Sequence, residues 1–236
     1  MKSLKNWLLV LSVLSCFGCS SPVHEDGRGC AFVSDSIQYR VEFMSEGCVR
    51  ILSFPEGDTL VTKRLVVDSQ KPAFKDYKWK DTGQQLIFST RELSVAFDKE
   101  DAAFTFQEVS TGKLLLKEKE AKKARHFKRS VAGGEQCLEV TQRFVPTDDE
   151  AIYGLGQYQN GIMNYRGKSV LLLQANMDIV NPFLISTNGY GILWDNYSST
   201  KFEDTEEGYS FTSEVGDASD YYFVYGKPPF RIPRPP

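Results

Sequence analysis

Apolar residues fall at every second position in one short segment after another along this chain. Ile37, Tyr39, Val41 and Phe43 share one face of an extended stretch, with Gln38, Arg40 and Glu42 on the other. Val49, Ile51 and Phe54 read as its partner strand, joined through the turn Ser45-Glu46-Gly47. The same period of two returns at Leu86 and Phe88, at Leu93, Val95 and Phe97, at Phe104 and Phe106, and at Leu138, Val140 and Phe144. Successive strand side chains point to opposite faces, so this spacing specifies half-buried strands and is incompatible with an amphipathic helix. Leu60–Val67, Val170–Leu173, Phe183–Ser186, Gly191–Trp194, Tyr209–Thr212 and Tyr221–Tyr225 add further extended runs. Asp98–Asp101, Ser110–Lys113, Asn160-Gly161, Asn188-Gly189 and Glu207-Gly208 supply the turns between them. Only Leu114–Lys128 has helical propensity, and it lacks an apolar stripe. Ten or more strands at this spacing predict an all-β fold, a large antiparallel β-sandwich.

The chain has 236 residues, of which 41% are apolar, enough for one sizeable core. Its net charge of −3 leaves no basic surface for nucleic acid, and the one basic run, Lys117–Arg129, is interleaved with glutamate and reads as a solvated face. Lys2 and Lys5 precede a short apolar stretch, Trp7–Leu14, in the pattern of an export signal. Gly18-Cys19 then resembles a bacterial lipoprotein junction, with Cys16 as second choice and ordinary signal cleavage as the alternative. The expected organisation is therefore a signal over residues 1–19 with Cys19 lipidated, a polar tether over 20–29, and the globular domain over 30–226. A diacylated Cys19 would tether the domain to a membrane without spanning it, so the expected address is periplasmic or at the outer-membrane surface. Residues 227–236, KPPFRIPRPP, form a proline-rich tail that cannot serve a central strand. The tail reads as a polyproline-like linker or as the product of a truncated or frameshifted gene.

Export permits disulfides, but Cys30, Cys48 and Cys137 are an odd set once Cys19 is lipidated. Cys30 and Cys48 are candidates for a bridge; buried free thiols are the alternative. With only His24 and His126, and no Cys/His ligand spacing, neither a metal site nor a cofactor is expected.

Four motifs in fixed order carry a family resemblance. Tyr153-Gly154-Leu155-Gly156-Gln157, the loop Gln174-Ala175-Asn176-Met177-Asp178 before Pro182-Phe183, the run Asn188–Asn196 reading NGYGILWDN, and Asp220–Gly226 reading DYYFVYG together resemble the N-terminal β-domain of glycoside hydrolase family 31, of the bacterial α-xylosidase/α-glucosidase type. The resemblance covers residues 30 to 226. It implies a galactose-mutarotase-like sandwich that packs on a (β/α)8 barrel, in which a retaining enzyme holds its two catalytic carboxylates. No catalytic residue is therefore expected in this chain, and the barrel is expected to be absent from it.

The resemblance also implies that a loop of the domain leans over the barrel mouth. On that basis Asn176, Met177 and Asp178 are the candidate sugar-contacting rim, with Gln157 beside the YGLG turn as a further candidate. Sugar hydroxyls require both donors and acceptors, which Asn, Gln and Asp supply between them. Asp195 and Asp220 read as turn residues capping backbone amides, and Trp194, Tyr190, Tyr221 and Tyr222 as core aromatics. His126 lacks a partner carboxylate, so mutarotase chemistry is not expected. The expected ligand is an oligosaccharide or α-glycoside, and the expected protein partner a separate catalytic barrel. The alternative is a surface carbohydrate-binding lipoprotein without hydrolase activity.

Overall fold

The computed structural model describes residues 22–58, 73–120 and 127–226. The signal segment, Cys16, Cys19, the extended run Leu60–Val67, His126 and the proline-rich tail lie outside the described residues. All regular elements are strands: β1 (His24–Glu25), β2 (Cys30–Ser34), β3 (Ile37–Ser45), β4 (Cys48–Pro55), β5 (Lys78–Asp81), β6 (Gln85–Ser89), β7 (Leu93–Asp98), β8 (Ala103–Glu108) and β9 (Leu114–Glu118) in the first half. β10 (Phe127–Ala132), β11 (Glu135–Val145), β12 (Ile152–Gln157), β13 (Ser169–Leu172), β14 (Ile179–Ser186), β15 (Tyr190–Trp194), β16 (Thr200–Thr205), β17 (Gly208–Gly216) and β18 (Ser219–Tyr225) follow.

They form two antiparallel sheets. One runs β1-β2-β3-β4-β18-β15-β14-β12, and the other β13-β16-β17-β11-β9-β8-β7-β6-β5 with β10 added to β11. The core lies between them. Phe32, Tyr39, Val41, Phe43, Ile51, Ile192, Trp194, Tyr221 and Phe223 from the first sheet meet Phe88, Val95, Phe97, Phe104, Phe106, Phe144, Phe202, Tyr209 and Phe211 from the second. Period-two alternation therefore maps directly onto the inner faces. The aromatic rings interlock: Phe106 stacks on Phe223 at 4.2 Å between centroids, and Trp194 on Phe211 at 5.5 Å.

Leu114–Glu118 departs from its helical propensity. It is a strand because Leu115 and Leu116 are buried in the core beside Phe106 of β8, and burial outweighs a few tenths of a kcal/mol of intrinsic preference. Cys30, Cys48 and Cys137 are free thiols, so the Cys30–Cys48 bridge does not form. β3 intervenes between the strands that carry these two residues.

The interior also holds a carboxylate without a cation. Glu118 is buried between the sheets and accepts hydrogen bonds from the Phe104 amide (2.8 Å), Gln142 Nε2 (2.9 Å) and Tyr221 Oη (2.7 Å). Burial pushes its carboxyl up to about 7.

The outer face of the first sheet is not a simple solvent face. Glu42, Arg50, Leu52, Asp220 and Tyr222 point there and are all buried. Arg50 grips Asp220 through two nitrogens, Nε to Oδ1 at 2.7 Å and Nη2 to Oδ2, and donates to Glu42 at 3.0 Å. Its guanidinium lies 5.7 Å from the Tyr222 ring centre.

Candidate functional site

One end of the sandwich gathers Gln157 and the loop Gln174–Asp178 with the residues that follow Trp194 and precede Tyr221. Three segments cross from sheet to sheet there: 173–178 joins the end of β13 to the start of β14, 195–199 joins β15 to β16, and 217–218 joins β17 to β18. The ladder registers align these ends. Gln157 pairs with Ile179, Leu172 with Thr200, and Ser219 with Ser53 near the end of β4.

The corner at β12 and β14 is built by the YGLG motif. Gly154 and Gly156 have φ of 98° and 118°, and a Cβ on either would overlap a carbonyl oxygen of β14, that of Phe183 or of Ile179. Between them Leu155, at φ 65°, makes a bulge that shifts the register and turns its side chain into the core. Ile152 and Leu155 are the buried anchors here, whereas Tyr153 is half-buried. The bulge carries the strand on to Gln157, which is exposed opposite Ile179.

The loop 173–178 closes as a tight turn, with the Asp178 amide donating to the Ala175 carbonyl at 3.3 Å. Gln174 staples it. Its Nε2 donates to the Asp178 carbonyl at 2.7 Å, and its Oε1 accepts from the Val180 amide at 3.2 Å. Met177 adopts φ 68° at the tip. Asn176 and Met177 are exposed and Asp178 is half-buried. The structure thus brings Gln157 and Asn176–Asp178 to one corner, because Asp178 directly precedes Ile179, the ladder partner of Gln157. Nearby, Tyr158 donates to the Leu155 carbonyl at 3.0 Å, and burial, with help from Tyr165 and Asp178, pushes its phenol up to about 12. At this corner Leu173 and Ile179, which flank the turn, are also exposed.

The carboxylates do not assemble into a hydrolytic pair. Asp178 and Asp217 are solvent-accessible on different crossovers, while Asp195 and Asp220 are buried on the outer face of the first sheet. Asp195 was expected to cap backbone amides; instead neither of its carboxylate oxygens has a hydrogen-bond partner among the described residues. Asp220 was expected to do the same and instead pairs with Arg50. Burial pushes Asp220 up to about 6, against the opposing pull of that guanidinium. The reason for both departures lies in sheet position: β18 and β15 are central strands whose outer face is covered, so a charge there must find a partner within the sheet or go without one. Trp194, Tyr190 and Tyr221 are core residues as expected, and Tyr222 is buried on the outer face against Arg50. Among the described residues no group of three or more His, Cys, Asp and Glu side chains is placed to hold a metal ion.

Two stacked antiparallel sheets with this loop-rich end define a galactose-mutarotase-like β-sandwich. Residues 38–203 match the glycosyl hydrolase 31 N-terminal galactose mutarotase-like domain, and the chain belongs to that family. An α-xylosidase of Saccharolobus solfataricus is 32% identical over 206 residues, which is 81% of this chain and 26% of that protein. The crystal structure of an α-xylosidase from Xanthomonas citri superimposes with a TM-score of 0.69 at 31% identity, covering 78% of this chain and 20% of the other. At 21% identity, a soil-metagenome α-xylosidase complexed with xylose shares the fold with a TM-score of 0.73, over 88% of this chain and 32% of that one. The chain spans about a quarter of the length of the curated α-xylosidase it matches.

Proposed function

We propose that this chain is the saccharide-facing accessory domain of a retaining α-glycosidase of the α-xylosidase/α-glucosidase type, and that it does not hydrolyse glycosides by itself. The observation that carries the reading is the corner formed by Gln157, Asn176, Met177 and Asp178, where two exposed amides and a half-buried carboxylate stand beside the exposed Met177 and Ile179. The polar groups suit sugar hydroxyls, and Met177 suits the apolar face of a pyranose ring. Leu173 and Ile179, which flank the 173–178 turn, add exposed apolar side chains against which a separately folded catalytic barrel would seat. Relatives several times the length of this chain, one solved with xylose and a Flavobacterium johnsoniae dextranase with isomaltotriose, support an oligosaccharide or α-glycoside as the ligand. The amino-terminal pattern supports export and lipidation at Cys19, which would hold the domain at a membrane surface facing the periplasm or the exterior.

Three measurements test this reading. Purified chain should release no nitrophenol from aryl α-xylosides or α-glucosides, and turnover that survives further purification would refute the accessory role. Titration with isomaltotriose should give millimolar binding that Asp178→Ala weakens by about five- to tenfold, the loss of one or two hydrogen bonds. Cells expressing the full gene should incorporate labelled palmitate into the chain, and Cys19→Ala should abolish the label.

A further inference from the structure

A second concavity lies at the same end of the sandwich, away from the Gln157–Asp178 corner. It exists because β11 outruns its neighbour. β17 follows β11 only as far as the Leu138–Gly216 pair, beyond a bulge between Leu138 and Val140. The β10–β11 hairpin continues past that point, pairing Val131 with Gln136 and Ala132 with Glu135. The overhang, the β17–β18 turn and the residues after β4 enclose a groove of about 580 Å³, within the range of small-ligand sites. Among the described residues its walls carry Arg129, Gln136, Asp58, Glu135 and Asp217 as charged or amide groups, and Val131 and Val215 as apolar ones.

The groove is braced from beneath. Asn196 Nδ2 donates to the Val215 carbonyl at 3.1 Å, Ser198 Oγ accepts from the Val215 amide at 3.2 Å, and the Glu214 amide donates to the Ser199 carbonyl at 3.0 Å. The Asp58 amide donates to the Pro55 carbonyl at 3.2 Å. A wall fixed by backbone hydrogen bonds gives up little entropy when a ligand is bound.

We infer that this groove is a second saccharide-binding surface, taking neutral oligosaccharide chains. The inference rests on the saccharide reading of the neighbouring corner. The chemistry of the walls selects the ligand class. Arg129 offers only donors, Asp58 and Asp217 offer acceptors, and Gln136 offers both, which is the mixture that vicinal hydroxyls require. Val131 and Val215 supply aliphatic surface for the C–H face of a sugar ring. Among the described residues of these walls three carboxylates, Asp58, Glu135 and Asp217, face one guanidinium, Arg129, a balance that disfavours phosphate and nucleic acid.

The experiment is amide NMR on the full chain titrated with maltoheptaose. The expected result is saturable shifts at Val131, Gln136 and Val215 as well as at the Gln157–Asp178 corner. A Gln136→Ala/Asp217→Asn double variant should weaken the groove response by about five- to tenfold, while the corner response persists. Both substituted side chains are exposed, so an unchanged thermal melt will show that the fold is intact. Shifts confined to the corner, or a groove response unaltered in the double variant, would overturn the groove and leave the corner standing. Absence of shifts at both places at millimolar sugar would overturn both.

Discussion

Glu118 should make the domain lose stability as the pH rises through neutrality. The carboxyl is buried among aromatic rings, with three hydrogen-bond donors and no cation in contact. Burial raises it from 4.5 to about 7. The folded state therefore binds a proton between these values that the unfolded chain has already released. Stability is fully present below about pH 4.5 and is lost as the pH rises through about 7. At 1.4 kcal/mol per pH unit the rise from 4.5 to about 7 corresponds to about 3–4 kcal/mol. For a domain of this size that is a fall in Tm of about 6–16 °C. Glu118→Gln removes the titration. Its amide nitrogen must also face a donor, so the variant should be less stable than the parent at pH 5 by about 1–3 kcal/mol. The gap should then narrow, or reverse, by pH 8. Urea melts of both proteins at pH 5, 6, 7 and 8 measure it directly. Asp220 also titrates near 6 but does so in both proteins, so it cancels in the difference. A gap that stays constant across the four pH values would refute the argument.

Gly156→Ala should cost about 2 kcal/mol or more, because φ of 118° disfavours any side chain and the new Cβ would meet the Ile179 carbonyl; a urea midpoint equal to that of the parent would show that the corner is not built as described. Arg50→Met should cost about 3–5 kcal/mol at pH 8, since it strips Asp220 and Glu42 of their buried guanidinium. That cost should shrink below pH 6 as Asp220 takes up a proton, a trend that chemical melts at pH 5 and 8 would register. Trp194→Ala should cost about 3–5 kcal/mol through loss of a fully buried ring stacked on Phe211 and hydrogen-bonded to Ser213, read as a lower thermal midpoint or a failure to fold.

Much of the sandwich was legible because the strands that dominate it are half-buried. Leu93, Val95 and Phe97, or Phe104 and Phe106, bury one face and expose the other to partial solvent, and that asymmetry leaves a period of two in the sequence. β9 was harder to read, since Leu114–Leu116 is a continuous apolar run followed by alternating Lys and Glu, a composition that suits a helix equally well. β16, reading TKFEDT, went unrecognised because its inward residues Thr200, Phe202 and Asp204 are mostly polar. The candidates Asn176, Met177 and Asp178 could be picked out only through their motif context, as nothing in a QANMD pentapeptide distinguishes one exposed turn from another.

The amino-acid order by itself settled the two-sheet architecture, the turns at Asn188-Gly189 and Glu207-Gly208, and the aromatic core, because each depends on near neighbours and on which face of a strand is apolar. Tertiary structure alone decided what the outer face of the first sheet would hold. Arg50 and Asp220 stand 170 positions apart in the chain and meet only because β4 and β18 pair. The same is true of the end that gathers Gln157, Asp178, Gln136 and Asp217. Strand pairing, which local pattern does not encode, determines which loops share an end, so the gathering of these separate segments becomes visible only once the sheets are assembled.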